Sequence, residues 1–126
     1  MRAIDTNVLV RLLARDDAKQ VAAAERFVEG SAWVSHLVLM ETAWVLESVY
    51  DLSPDRIATA IEMLIGHVHL TIERAEVVVA ALVEFRKRSK LGFSDCLIVA
   101  TARHAGHIPV ATFDRELAKL EDVERL

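Results

Sequence analysis

The sequence predicts an α/β protein, a three-layer fold in which a short central parallel sheet is flanked by helices. Two observations carry this. Short apolar runs of strand length alternate along the chain with longer segments of helical spacing, the pattern of parallel strands joined by helical crossovers. The 126 residues also include only 4 Gly and 2 Pro, too few for an all-β chain rich in turns and against disorder. That length suits one domain spanning residues 1–126, and 53% apolar residues provide a full core with apolar surface left for a partner.

The elements follow in order. Met1 to Ile4 reads as a short buried strand. Asn7 to Arg15 has helical spacing, with Val8, Leu9, Leu12 and Leu13 on one face. Asp16 to Glu29 is a second helix whose inward residues are read as Ala18, Val21, Ala22 and Phe27, with Gly30 as its stop. Trp33 to Ser35 is a short strand, and His36 to Tyr50 a strongly apolar helix. Ser53 then caps a helix that has Pro54 at its first position. His67 to Ile72 alternates as a strand does. Arg74 to Lys87 is helical, with Val77, Val78, Ala81, Leu82 and Phe85 on one side. Leu91-Gly92-Phe93 connects to a helix from Ser94 to His104, which ends near Gly106. Ile108 to Thr112 is a strand, Asp114 to Leu120 a short helix, and the C-terminus adds a last strand.

Composition excludes some classes. A single Cys forbids an internal disulfide and suits a reducing compartment. No segment has the length and apolarity of a targeting or membrane-spanning sequence, so a cytoplasmic protein without membrane contact is expected. The net charge of −4 opposes nucleic acid at first sight. Of the 19 acids, however, four are candidate metal ligands, and setting them aside leaves 15 acids against 15 Lys and Arg. The run Arg86, Lys87, Arg88 and Lys90 is then a candidate for holding an RNA backbone, although such a run at a helix end is ordinarily a solvated face.

Those four acids are Asp5, Glu41, Asp95 and Asp114. Asp5 follows the first strand and precedes the first helix, at the carboxyl edge where open parallel sheets bind ligands. Helix capping competes for Asp5, because Asp-Thr-Asn offers three capping side chains. Glu41 shares a helix face with Leu37, Trp44 and Val45, where a carboxylate is costly unless paired with an Arg or bound to a metal. Asp95 lies at a helix N-terminus where Ser94 already offers a cap, and Asp114 ends a strand and opens a helix. Carboxylates gathered at one sheet edge repel each other unless a cation sits among them. Oxygen ligands without His or Cys favour Mg2+ or Mn2+. Such ions activate water and stabilise charge on a phosphodiester.

The segments Asp5-Thr6-Asn7-Val8-Leu9-Val10, Met40-Glu41, Phe93-Ser94-Asp95-Cys96-Leu97-Ile98-Val99-Ala100 and Thr112-Phe113-Asp114 resemble, in order, the motifs of PIN domains. Among these they are most similar to the stand-alone VapC toxins of bacterial toxin–antitoxin pairs. The resemblance implies an Mg2+- or Mn2+-dependent endoribonuclease acting on RNA, a tRNA or another structured RNA among the expected substrates. It also implies a homodimer held inactive by a cognate antitoxin, which docks on apolar surface beside the site. It assigns metal binding to Asp5, Glu41, Asp95 and Asp114, with Thr6 and Thr112 supporting them through their hydroxyls.

Other residues carry less. His36, His67, His69, His104 and His107 have no evident catalytic partner, and Cys96 reads as a small core residue. Trp33 and Trp44 are read as buried packing rather than as a base-stacking platform. Three rivals stand beside the ribonuclease, one of them a DNA-acting metallonuclease of the same chemistry, which would be expected to carry a helical arch that 126 residues leave little room for. A haloacid-dehalogenase-like phosphatase would also place an Asp after its first strand, but it needs a second Asp where this chain has Asn7. A non-catalytic α/β binding module would use the acids only as caps and ion pairs.

Overall fold

The computed structural model describes residues 1–88 and 90–126. The chain forms two compact units, Met1–Ala75 and Glu76–Leu126. The first holds β1 (Arg2–Ala3), α1 (Thr6–Ala14), α2 (Ala18–Val28), β2 (Ala32–Val34), α3 (His36–Ser48), α4 (Pro54–Ile65) and β3 (Leu70–Ile72). Its three strands are parallel in the order β1-β2-β3, with Ala32 opposite both Arg2 and Leu70. Two helices separate each strand from the next, as parallel pairing requires. Within this unit α1 packs on α2 and α3, α3 on α4, and α4 on β3.

The second unit contains α5 (Ala75–Lys87, which starts on the last residue of the first unit), α6 (Phe93–Ala105), β4 (Val110–Thr112), a 3₁₀ turn (Leu117–Lys119) and β5 (Val123–Arg125). Here β4 and β5 pair in parallel, Val110 opposite Val123. The class is therefore the expected mixed α/β, with six α-helices and short parallel sheets among the described residues.

Local chemistry accounts for most boundaries. The Ser53 hydroxyl accepts from the Arg56 amide, and Pro54 opens α4, as expected. Val77, Val78, Ala81, Leu82 and Phe85 form the buried face of α5. Phe85 meets Phe93 edge to face at 5.8 Å between ring centroids. Gly106 ends α6 at φ 81°, a left-handed backbone that glycine adopts without strain. β4 starts only at Val110, because Pro109 has no amide to give a ladder.

Several expectations are corrected. Arg2 and Ala3 are exposed, and burial begins at Ile4. The buried face of α2 is Val21, Ala24 and Val28; Ala18 and Ala22 are exposed and Phe27 is half-buried. Gly30 does not stop α2, and the left-handed residue there is Ser31. His67 to His69 lie in the turn before β3 rather than in the strand. Trp33 and Trp44 are not buried, and Trp44 is 64% exposed.

Candidate metal centre

Two of the four predicted carboxylates, Asp5 and Glu41, belong to the first unit, and Asp95 and Asp114 to the second. Asp5 leaves the carboxyl end of β1 and is the N-cap of α1, where its Oδ1 accepts from the Val8 amide at 3.1 Å. Capping and ligation do not exclude each other, because the cap takes one oxygen and leaves Oδ2 uncommitted. Thr6 opens α1, and its hydroxyl makes no hydrogen bond among the described residues.

Glu41 stands in the second turn of α3 and is exposed. The buried residues of that helix are Leu39, Thr42, Ala43 and Leu46. The face shared by Leu37, Glu41 and Trp44 points outward, with Leu37 78% exposed. This corrects the expectation of a buried carboxylate. It also removes the buried salt bridge to an Arg: among the described residues Glu41 has neither hydrogen bond nor ion pair.

The N-terminus of α3 is tied to the strand beside it. Ser35 caps it through Val38, and the Glu73 carboxylate accepts from the His36 amide at 2.8 Å. His36 Nε2 meets the Glu73 carbonyl oxygen at 2.6 Å, so the ring donates there. Sequence reasoning missed this clamp, because Glu73 is distant in the chain and reaches His36 only through the parallel pairing of β2 with β3.

In the second unit Asp95 lies in the first turn of α6, half-buried. Gly92, not Ser94, is the N-cap of that helix, and no side chain caps it. Ser94 was expected in that role; the helix begins one residue earlier, which puts Ser94 inside the first turn. A carboxylate at Asp95 suits the positive end of the helix dipole. The next residue, Cys96, is 1% exposed, and burial, aided by the charges of Asp95 and Glu84, raises its thiol from 9.0 to about 11. It is a protonated core residue, as expected, and no nucleophile.

Asp114 follows β4 and is exposed; its Oδ1 accepts from the Glu116 amide and its own amide donates to the Thr112 hydroxyl, both at 3.0 Å. Thr112 therefore fixes the backbone that carries Asp114. Phe113 between them is 80% exposed. Of the basic run, Arg86 and Lys87 close α5, Arg88 pairs with Glu84 at 3.7 Å, Lys90 is exposed, and the intervening Ser89 lies outside the described residues.

Within neither unit do three His, Cys, Asp or Glu side chains gather as a metal site among the described residues. Each predicted ligand nevertheless suits a hard cation. Asp5 and Asp114 each keep one carboxylate oxygen free of their turn, and Glu41 keeps both. The donors are all carboxylate oxygens, which fit Mg2+ or Mn2+ and not a thiophilic metal.

The family model described as PIN domain matches residues 3–123, nearly the whole chain. No curated protein and no solved structure matches it.

Proposed function

Because the chain belongs to the PIN domain family of divalent-metal-dependent nucleases, we propose that it is an Mg2+- or Mn2+-dependent endoribonuclease acting as the toxin of a toxin–antitoxin pair. The observation that carries this reading is Glu41, a carboxylate on an apolar stripe with no structural partner among the described residues. Exposed and unpaired, its carboxylate is open to a ligand from solvent. In this reading Asp5, Glu41, Asp95 and Asp114 hold the cation, and Thr112 steadies Asp114 through its backbone amide. The supporting role expected of the Thr6 hydroxyl has no hydrogen bond behind it among the described residues. The bound cation supplies an activated water and stabilises charge on the phosphodiester. Arg86, Lys87, Arg88 and Lys90 hold RNA phosphates.

The exposed apolar residues Leu37, Trp44 and Val49 support a protein partner on the first unit, either the antitoxin or a second copy in a homodimer. The single Cys is buried and free, which suits a reducing cytoplasm. Among the described residues no helix is long and apolar enough to cross a membrane. The phosphatase rival gains nothing from the family match. The non-catalytic module is separated by experiment. Asp5→Asn and Asp95→Asn should each lower Mg2+-dependent RNA cleavage by about a hundredfold or more, the rate equivalent of a few kcal/mol of lost metal assistance, with the circular dichroism spectrum unchanged. Cleavage unchanged in both variants would refute the catalytic assignment. DNA of the same sequence cut equally well would replace RNA as the substrate.

A further inference from the structure

The geometry points to a nucleobase subsite in the cleft between α1 and α2, which receives an unpaired base of the RNA beside the bond being cut. This rests on the reading of Asp5 as a ligand of the catalytic cation, since Asp5 lines the same cleft. The cleft encloses about 410 Å3, near the lower end of the ~300–1,000 Å3 typical of small-ligand pockets. Asp5 and Asn7 line it from the start of α1, Arg11 and Gln20 add polar groups, and Ala24 and Phe27 supply apolar surface.

Three features select a base over other ligands. First, the aromatic wall is held in place: the Arg2 guanidinium lies 3.8 Å from the Phe27 ring centroid and donates to the Phe27 carbonyl at 3.1 Å. Arg2 takes one face of this half-buried ring, and the part of Phe27 that lines the cleft is held ready for a base at little ordering cost. Second, the carboxamides have unused capacity. Gln20 Oε1 accepts from Arg11 Nε at 2.6 Å, which orients the amide and leaves its NH2 group to donate. Asn7 makes no side-chain hydrogen bond among the described residues, so it offers both a donor and an acceptor. Such groups read base edges.

Third, the cleft offers no free cation to a phosphate: Arg11, the cation that lines it, is engaged by Asp16 at 3.0 Å and by the Tyr50 hydroxyl at 3.1 Å. A flat, neutral, hydrogen-bonding ligand remains.

The test uses the full chain with Mg2+ and a pool of randomised single-stranded RNA oligonucleotides, the cut products being sequenced. One position beside the cut should show a strong base preference, which Asn7→Ala or Gln20→Ala relaxes. Phe27→Leu should slow cleavage of the preferred sequence about tenfold, while an oligonucleotide abasic at that position is cut by this variant as by the wild type. Cleavage without preference at any neighbouring position overturns the subsite but leaves the nuclease reading standing. Equal slowing of intact and abasic substrates also overturns it, because that is the signature of a merely structural Phe27. A wild-type chain that cuts no RNA overturns both.

Discussion

Glu41 and Thr42 are neighbours on α3 with opposite surroundings. Glu41 is in solvent without a partner, whereas Thr42 is 1% exposed and its hydroxyl has no hydrogen bond among the described residues. Burying a hydroxyl unpaired costs about 1–3 kcal/mol, and Val has the same shape without it. Thr42→Val should therefore raise the unfolding free energy by about 1 kcal/mol in a denaturant titration. A loss of stability would show that the hydroxyl finds a partner in solution. The type of residue at such positions was legible in the sequence; its exposure was not. Helical spacing correctly put Leu37, Glu41 and Trp44 on one face, but spacing cannot say whether that face is covered. Caps such as Ser53 were legible because the groups involved are three residues apart.

At the level of elements, periodicity served best where the apolar residues are large. The face of α5 was read correctly because Val, Leu and Phe mark it. In α2 the run Val21-Ala22-Ala23-Ala24 offers alanines all round, so the inward phase is set by packing on α1 instead. These helices are further joined by side chains no local pattern reveals. Arg11 on α1, Asp16 in the loop that follows, Gln20 on α2 and Tyr50 beyond α3 form one network, in which the Tyr50 hydroxyl donates to Asp16 at 2.7 Å. That bond, followed by a backbone hydrogen bond and then by the Arg11 charge and hydrogen bond, holds the Asp16 carboxyl below its usual 3.8. A lowered carboxyl contributes stability at pH values above 3.8, and the contribution is lost as pH falls through the folded-state value. Tyr50→Phe should accordingly destabilise the chain near neutral pH and flatten its acid limb below pH 4. Parallel melting curves of the two proteins across that range check this, and an unaltered acid limb would contradict it.

For the whole molecule, the α/β class and the order of the acidic motifs were legible because both are patterns along the chain. The His36–Glu73 clamp and the α1–α2 cleft were not, since each joins residues far apart in sequence. The balance of 15 acids to 15 Lys and Arg, once four carboxylates are set aside, has a thermodynamic counterpart. If those four bind a cation, Mg2+ stabilises the folded chain, by about 2.7 kcal/mol at a hundredfold excess over Kd. The melting temperature should rise with Mg2+ in the wild type, fall back with a chelator, and respond far less in Asp95→Asn. An equal rise in both would place the cation elsewhere. The divided use of Asp5, one oxygen for the amide of Val8 and one left over, also bears on how such a gene decays. Asn caps a helix about as well as Asp, and their codons differ by a single nucleotide. If Asp5 holds the cation as proposed, one base change removes a metal ligand and keeps the helix that it caps.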